Sequence, residues 1–183
     1  MNSKGRRSAK LGATLRFRPA LFLVVLPSVY VLLHFAYFAL PDDFLRDYVH
    51  YYGIVVPAAT IVNFVAPHEA AAAAQGTLRS ISASLSIVRG CDGAGVVFLL
   101  VAAMSAYPAR LKAKLQGILA VVVLMYILNE LRVVGLYFVI ANRNEWFSAL
   151  HNYFVPIFMI LVACLFFLWW TVWTRDQAET QRS

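Results

Sequence analysis

Residues 115–141 read LQGILAVVVLMYILNELRVVGLYFVIA, an apolar run longer than the roughly 20 residues that carry a helix across the hydrocarbon of a bilayer. Four similar runs surround it, at Ala20 to Leu40, Tyr51 to Ala66, Gly93 to Tyr107 and Leu150 to Trp173. In the whole chain 61% of the residues are hydrophobic and 14% are charged, and the mean hydropathy is +0.69. A soluble domain of 183 residues cannot hide this much apolar surface from water. The sequence therefore predicts an all-α integral membrane protein.

The net charge of +7 is concentrated before the first apolar run. The basic residues there are Lys4, Arg6, Arg7, Lys10, Arg16 and Arg18, and no acidic residue precedes Asp42. This distribution is typical of a cytoplasmic flank that meets anionic membrane lipid, and nothing in the chain indicates a nucleic-acid-binding fold. Residues 1–18 are accordingly predicted to form a cytoplasmic basic segment, followed by an uncleaved membrane anchor.

Two further features predict the topology of residues 19–174, the expected membrane-embedded domain. The loop between the third and fourth runs is basic, and the tail at 175–183 follows an aromatic belt, so both should be cytoplasmic. The loop residues are Arg110, Lys112 and Lys114, and the belt residues are Trp169, Trp170 and Trp173. With the N-terminal segment, the loop and the tail on one side, the chain crosses an even number of times. We therefore expect four transmembrane helices.

One of the five apolar runs should then not span the membrane, and the second is the weakest. The segment Tyr48 to Ala66 carries Pro57 near its middle and Asn63 near its end, after a charged and Tyr-rich approach. This composition predicts an outer helix that lies in the interface or re-enters it. The following segment, His68 to Ala74, suits a short outer helix.

A small β element is expected on the same outer side. Residues 80–87 read SISASLSI, and strict alternation of polar and apolar residues predicts a half-buried strand. Its pairing partner could come from nearby chain, from another subunit or from a bound extended peptide. The strand leads directly to Gly90-Cys91-Asp92-Gly93. Glycines on both sides of a cysteine suit a tight turn and close approach of a ligand, although loop punctuation explains the glycines equally well.

Helix geometry predicts that Cys91, Arg132 and His151 lie in one layer. With a rise of about 1.5 Å per residue, Cys91 is roughly 28 Å from the basic loop and Arg132 roughly 25 Å along the fourth helix. His151 is roughly 27 Å above the aromatic belt. All three are therefore expected near the outer boundary of the hydrocarbon. An arginine at that depth indicates a functional site, and Asn129, three residues earlier on the same face, could orient its guanidinium.

Cysteine, arginine and histidine together can carry out acyl transfer. A thiolate attacks, a guanidinium stabilises negative charge, and an imidazole exchanges protons with the leaving and entering groups. Other interpretations remain open at this point. A lone membrane cysteine is usually a packing residue, which is the expectation for Cys164. Glu130 could carry protons or cations in a small transporter, and a non-catalytic membrane scaffold is a third possibility.

Three blocks of the chain resemble the signature blocks of the exosortase family, in the exosortase/archaeosortase superfamily, and most of all exosortase H. The blocks are Cys91-Asp92-Gly93, Asn129-Glu130-Leu131-Arg132 and His151, and the resemblance covers most of the chain. It implies that Cys91 is the nucleophile, that Arg132 stabilises the thiolate and the oxyanion, and that His151 transfers protons. Asn129, Asp92 and Gly93 would support the site or contact the substrate, and no cofactor or metal is implied.

The resemblance also implies a substrate and a location. Exosortases are membrane cysteine proteases or transpeptidases that cleave C-terminal sorting tails of exported proteins. Such a tail has a short motif, a transmembrane helix and a basic cluster, and exosortase H is associated with an Ile-Pro-Thr-Leu-like motif. The expected location is the bacterial inner membrane, with the site facing the periplasm. Two positions depart from the family pattern: Asp92, where Asn or Ser is expected, and Gly95, near which an acidic residue is common.

Overall fold

The computed structural model describes residues 19–180, and the predicted cytoplasmic segment 1–18 lies outside them. Five helices dominate the described part: α1 (Pro19–Phe38), α2 (Asp42–Val65), α3 (Ala94–Ala106), α4 (Leu111–Asn142) and α5 (Phe147–Gln177). Regular helical geometry in α5 continues to Thr180, so the predicted tail at 175–183 begins as helix rather than as a separate segment.

Four of these helices, α1, α2, α4 and α5, are long and apolar enough to cross a membrane. The number of candidate spans is therefore four, as predicted, but the set differs. Helix α3 was expected to span and α2 was not. Helix α3 has 13 residues and a length of about 20 Å, less than the hydrocarbon thickness of about 30 Å. It is short because residues 90–93 form a turn and because the backbone is extended at Tyr107 and Arg110. Helix α2 is longer than expected, because the charged approach from Asp42 onward is already helical.

The apolar side chains form two separate cores along α4. The first joins α3, α5 and the first half of α4, with Met104, Val121, Met125 and Trp170 almost completely buried. The second joins α2 and the sheet to the far end of α4, around Val133 to Tyr137. Helix α4 has 32 residues and a length of about 48 Å, so it extends well beyond a hydrocarbon layer of about 30 Å. Helix α2 therefore packs at one end of α4.

The β element is a three-stranded antiparallel sheet of order β1-β2-β3. Its strands are β1 (Ala72–Ala74), β2 (Thr77–Arg79) and β3 (Ser84–Ser86). The pairing partner of the predicted strand is thus nearby chain. The expectation of a short helix up to Ala74 was wrong there, because β1 pairs with β2 across the turn at Gln75 and Gly76.

The predicted strand at 80–87 is shorter in the structure, because its first residues turn. The Ser80 hydroxyl accepts hydrogen bonds from the N–H groups of Ser82 and Ala83, at 3.0 and 3.1 Å. Ile81 is consequently 84% exposed instead of facing the core. The alternation holds from β3 onward, where Leu85 and Ile87 are buried and the serines beside them are exposed.

Glu69 fastens this hairpin to α4. Its carboxylate accepts hydrogen bonds from Tyr137 at 2.7 Å, from Ser80 at 3.0 Å and from Ser82 at 3.1 Å. The hydrogen bond from Tyr137 is the largest cause that lowers the pKa of Glu69 below its usual range. The second core, between α2, the sheet and the far end of α4, is therefore closed by an ionised carboxylate whose hydrogen bonds are satisfied.

Gly117 is expected to be the most size-sensitive position in the first core, where α4 packs on α5. A Cβ at this glycine would lie 2.8 Å from two atoms of the Trp170 ring. That ring is 1% exposed and is held by Tyr107, Phe167 and a hydrogen bond from its N–H to the Ala113 carbonyl. We expect Gly117→Ala to destabilise the protein by about 1–3 kcal/mol through overpacking.

The measurement for Gly117 is the thermal unfolding midpoint of purified protein in detergent, compared with Gly135→Ala. Gly135 lies on the same helix, and a Cβ there would meet nothing within 4 Å. Both substitutions add one methyl group within α4. The gain in helix propensity is therefore the same in both and does not affect the difference between their unfolding midpoints. Equal midpoints for the two variants would contradict the close packing of α4 on α5.

Candidate functional site

Cys91 stands on a turn built by two glycines. Gly90 and Gly93 have φ values of 85° and 78°, in the left-handed region that favours glycine. The Cys91 N–H donates to the Val88 carbonyl at 3.0 Å, which closes the turn between β3 and α3. A side chain on Gly93 would also come within 3.1 Å of Oδ1 of Asn129. Both glycines are thus required by the backbone, and they present the cysteine three residues before the start of α3.

His151 reaches Cys91 from the beginning of α5. Its Nε2 lies 3.5 Å from the Cys91 Sγ, within hydrogen-bond distance for sulfur. The imidazole stacks on Phe147, with ring centroids 5.1 Å apart. Its Nδ1 is buried and has no hydrogen-bond partner among residues 19–180. Ring stacking rather than a carboxylate therefore orients this histidine.

The histidine lies on an irregular part of α5. Residues Leu150–Phe154 form a π-helical segment, and Pro156 follows two residues after its end. Because proline lacks an N–H and its ring crowds the preceding turn, the backbone there widens from α- to π-helical hydrogen bonding. The same pattern occurs in α2, where the π-helical segment Leu45–Val55 precedes Pro57.

Arg132 approaches the same turn from α4. Its Nη1 donates to the Cys91 carbonyl oxygen at 3.3 Å, and the side chain is half-buried. Within residues 19–180 no carboxylate forms an ion pair with it. The guanidinium has five N–H donors, so most of them remain available for a ligand. The structure thus brings Cys91, Arg132 and His151, the three predicted catalytic residues, to one place.

Asp92 points away from the thiol and into a buried polar cluster. It accepts hydrogen bonds from the Tyr37 hydroxyl, from His50 at 3.2 Å and from the Ala94 N–H at 3.2 Å. Burial opposes the ionisation of Asp92, but the hydrogen bonds from His50, Tyr37 and Ala94 outweigh it and lower the pKa of this carboxyl. Asp92 therefore ties the first turn of α3 to α1 and α2, a supporting role.

His50 was missed as a site residue, because its partner Asp92 lies far away in the chain. It is 2% exposed and hydrogen-bonded to Asp92. Tyr37 was missed for the same reason. His50 lies in the charged and Tyr-rich approach to the second apolar run, and nothing in that local sequence indicates a buried partner.

Asn129 differs from its predicted role, whereas Glu130 keeps the buried position that the transporter interpretation requires. Asn129 packs against Gly93 with its Oδ1 unpaired, and it makes no hydrogen bond to Arg132. The guanidinium instead donates to the Cys91 carbonyl. Glu130 is 5% exposed, and neither of its carboxylate oxygens has a partner among residues 19–180.

A cavity of about 190 Å³ opens beside this turn. Its upper wall is formed by Gly90, Gly93 and Arg132, and its lower wall by apolar residues of α3 and α5. The apolar lining residues are Val96, Pro156, Met159 and Ile160. The polar end of the cavity thus adjoins the Cys91 turn, and the apolar end is lined by α3 and α5.

The accessibility of the two cysteines tests the predicted orientation. A charged, membrane-impermeant maleimide should label Cys91 in intact cells and spare Cys164. Cys91 is half-buried beside the cavity, whereas Cys164 is exposed on α5, contrary to the predicted packing, and lies about 20 Å deeper than His151. Lipid would cover it there. The measurement is the mass of labelled protein before and after permeabilisation. Labelling of Cys91 only after permeabilisation would place the site on the cytoplasmic side.

The geometry of the site can be summed up in three contacts. A thiol faces an imidazole, a guanidinium binds the backbone that carries the thiol, and a buried aspartate holds the same turn from the other side. The first two are the groups that acyl transfer requires. Comparison with known proteins gives no family for the chain: no protein-family model, no curated protein and no solved structure matches it.

Proposed function

We propose that this protein is an exosortase-like cysteine peptidase or transpeptidase of the bacterial inner membrane. Its substrates are exported proteins with a C-terminal sorting tail, which it cleaves at the periplasmic face and transfers to an acceptor. The observation that carries the proposal is the distance of 3.5 Å between Cys91 Sγ and His151 Nε2, with Arg132 of α4 hydrogen-bonded to the same turn. Residues from three separate parts of the chain meet there, as a nucleophile and a base must.

The reaction begins when His151 takes the proton of the Cys91 thiol. The thiolate attacks the carbonyl carbon of the scissile peptide bond, and the electrons of the carbonyl double bond move to its oxygen. Arg132 stabilises that oxyanion through N–H groups that it does not use for the Cys91 carbonyl. When the oxyanion collapses, the carbon–nitrogen bond breaks and the leaving amine takes the proton from His151.

A thioester on Cys91 remains after the tail has left. An acceptor amine or water then attacks the thioester carbon and gives a proton to His151. The carbon–sulfur bond breaks, and the thiolate recovers the proton. The acyl group therefore leaves on the acceptor, and the enzyme returns to its starting state.

Glu130 supports a second candidate, a small proton- or cation-coupled transporter. A buried carboxylate with two unpaired oxygens on a membrane helix is the feature that such a protein would need. The two proposals assign importance to different residues, so one experiment separates them.

The experiment is co-expression with an exported protein whose tail has an Ile-Pro-Thr-Leu-like motif, a transmembrane helix and a basic cluster. Glu130→Gln preserves the shape of the side chain, so we expect it to retain most of the wild-type processing, measured as loss of the tail by mass spectrometry. If Glu130→Gln alone abolishes function while Cys91→Ala has no effect, acyl transfer is the wrong mechanism. If substitutions of Cys91, Arg132 and His151 all leave function intact, the protein is a scaffold.

A further inference from the structure

The outer edge of strand β3 carries backbone N–H and C=O groups that form no hydrogen bond within residues 19–180. Ile87 donates to the Gly76 carbonyl at 2.9 Å, and Ser80 donates to the Ala83 carbonyl at 2.9 Å. In an antiparallel ladder, hydrogen-bonded pairs recur at every second residue, so Leu85 pairs with Leu78 and the serines between them do not bond to β2. The N–H and C=O groups of Ser84 and Ser86 therefore point to the free edge.

That edge is open, and it is not apolar. Ser84, Ser86 and Val88 are exposed, whereas Leu85 and Ile87 are buried towards α4. Within residues 19–180 no other strand, helix or side chain hydrogen-bonds to the outward N–H groups of these two serines. Exposed strand edges without charge or proline are templates for an added strand. The shape of the site thus favours an extended polypeptide as the occupant.

Strand β3 leads directly to the nucleophile. Ser86 is separated from Cys91 by four residues, and the turn closed by Val88 brings the chain round to the thiol. A peptide strand beside β3 that runs in the same direction would therefore arrive at Cys91 and His151. Beyond them, the cavity at Arg132 continues between α3 and α5 with an apolar lining. An extended segment followed by an apolar helix matches this sequence of surfaces.

We propose that the segment preceding the transmembrane helix of the substrate binds as a fourth strand, parallel to β3, along Ser84 to Val88. Its backbone pairs with the N–H and C=O groups of Ser84 and Ser86, its scissile bond reaches Cys91, and its apolar helix leaves along α3 and α5. This inference rests on the proposed function and adds how the substrate is recognised. Main-chain pairing supplies affinity and register, and the side chains that alternate along the strand supply specificity.

The first test uses the wild-type protein in lipid vesicles and a synthetic peptide with the Ile-Pro-Thr-Leu-like motif, an apolar helix and a basic end. The peptide is made in versions that are N-methylated at one residue at a time before the cleavage site, except at the proline, which has no N–H. Strand pairing predicts that alternate positions are sensitive. Methylation of an N–H that faces β3 should lower kcat/KM by about 10-fold, and methylation of its neighbours should have little effect.

The second test compares Ser86→Pro with Ser86→Ala. Proline removes the outward N–H but leaves the pairing of β2 with β3 intact, because that N–H does not bond to β2. We expect Ser86→Pro to raise KM about 10-fold and Ser86→Ala to leave it unchanged. The thermal unfolding midpoint and the rate of Cys91 alkylation should match the wild type in both variants.

The outcomes distinguish this inference from the proposed function. If the unmodified peptide is not cleaved at all, the proposed function fails and the inference fails with it. If the peptide is cleaved but sensitivity to N-methylation shows no period of two, the inference is overturned and the peptidase stands. If Ser86→Pro changes the sedimentation mass of the protein and not its KM, the edge pairs with a second copy of the chain. Because the N-methyl scan uses only the wild-type protein, a misfolded Ser86→Pro variant does not prevent a decision.

Discussion

Cys91→Ser and Cys91→Ala should both reduce processing of a tailed substrate to background, a loss of about 10⁴-fold or more. Cys91 Sγ lies 3.5 Å from His151 Nε2, so a serine hydroxyl at this position would still face a base. It is nevertheless a poor replacement, because a thiol ionises much more readily than a hydroxyl. Residual activity in Cys91→Ser above that in Cys91→Ala would measure how far His151 can activate a hydroxyl.

The matched control for this prediction is Cys164→Ser, because Cys164 is the other free cysteine. It lies on the exposed side of α5, away from the candidate site, so its substitution should leave both processing and thermal unfolding unchanged. The measurement is loss of the substrate tail over time at equal protein levels. A normal rate in Cys91→Ala, or a comparable loss in Cys164→Ser, would mean that the nucleophile has been misassigned.

Arg132→Lys should fold and yet process substrate about 10² to 10³ times more slowly. The guanidinium can hold the Cys91 carbonyl with Nη1 and present separate donors to an oxyanion, whereas an ammonium offers a compact charge on a flexible stem. Lysine keeps the positive charge but not the planar fork. The expected defect is therefore in kcat rather than in folding, and the unfolding midpoint should stay near that of the wild type.

A paired measurement separates the two roles of Arg132. Alkylation of Cys91 across a range of pH reports how readily the thiol ionises, and substrate cleavage reports the whole reaction. If cleavage falls while the alkylation profile stays the same, Arg132 serves the oxyanion. If both change, it also stabilises the thiolate. If neither changes, the arginine is structural and the site loses its central member.

The convergence of Cys91, Arg132 and His151 could be predicted because a helix rises by a fixed amount per residue. The position of a residue along a membrane helix therefore gives its depth in the bilayer to a good approximation. The predicted distance of Cys91 from the basic loop contained an error, part of which is cancelled by extended backbone. It assumed helix all the way to Arg110, but α3 has only 13 residues and the chain is extended at Tyr107 and Arg110. Extended backbone rises about 3.3 Å per residue, more than twice the helical value. The extended link therefore restores part of the height that the missing helical turns would have given.

The surroundings of the site could not be predicted in the same way, because they depend on contacts between distant parts of the chain. Asp92 meets Tyr37 and His50 from α1 and α2, and nothing in local periodicity connects these positions. The β element shows a similar limit. Alternation correctly indicates the buried Leu85 and Ile87, but it cannot reveal that Ser80 turns the chain with its hydroxyl.

The π-helical segment Leu150–Phe154 has a consequence for how the chain can vary in evolution. A π-helical turn holds one residue more than an α-helical turn, so it is equivalent to a single inserted residue within a regular helix. Loss of one residue before His151 would let α5 relax to regular α-helical geometry and would shorten the spacing between Phe147 and His151 by one residue. The imidazole and its stacking partner Phe147 would then face different directions. Variation in length is therefore far more damaging in this segment than exchange of one apolar side chain for another.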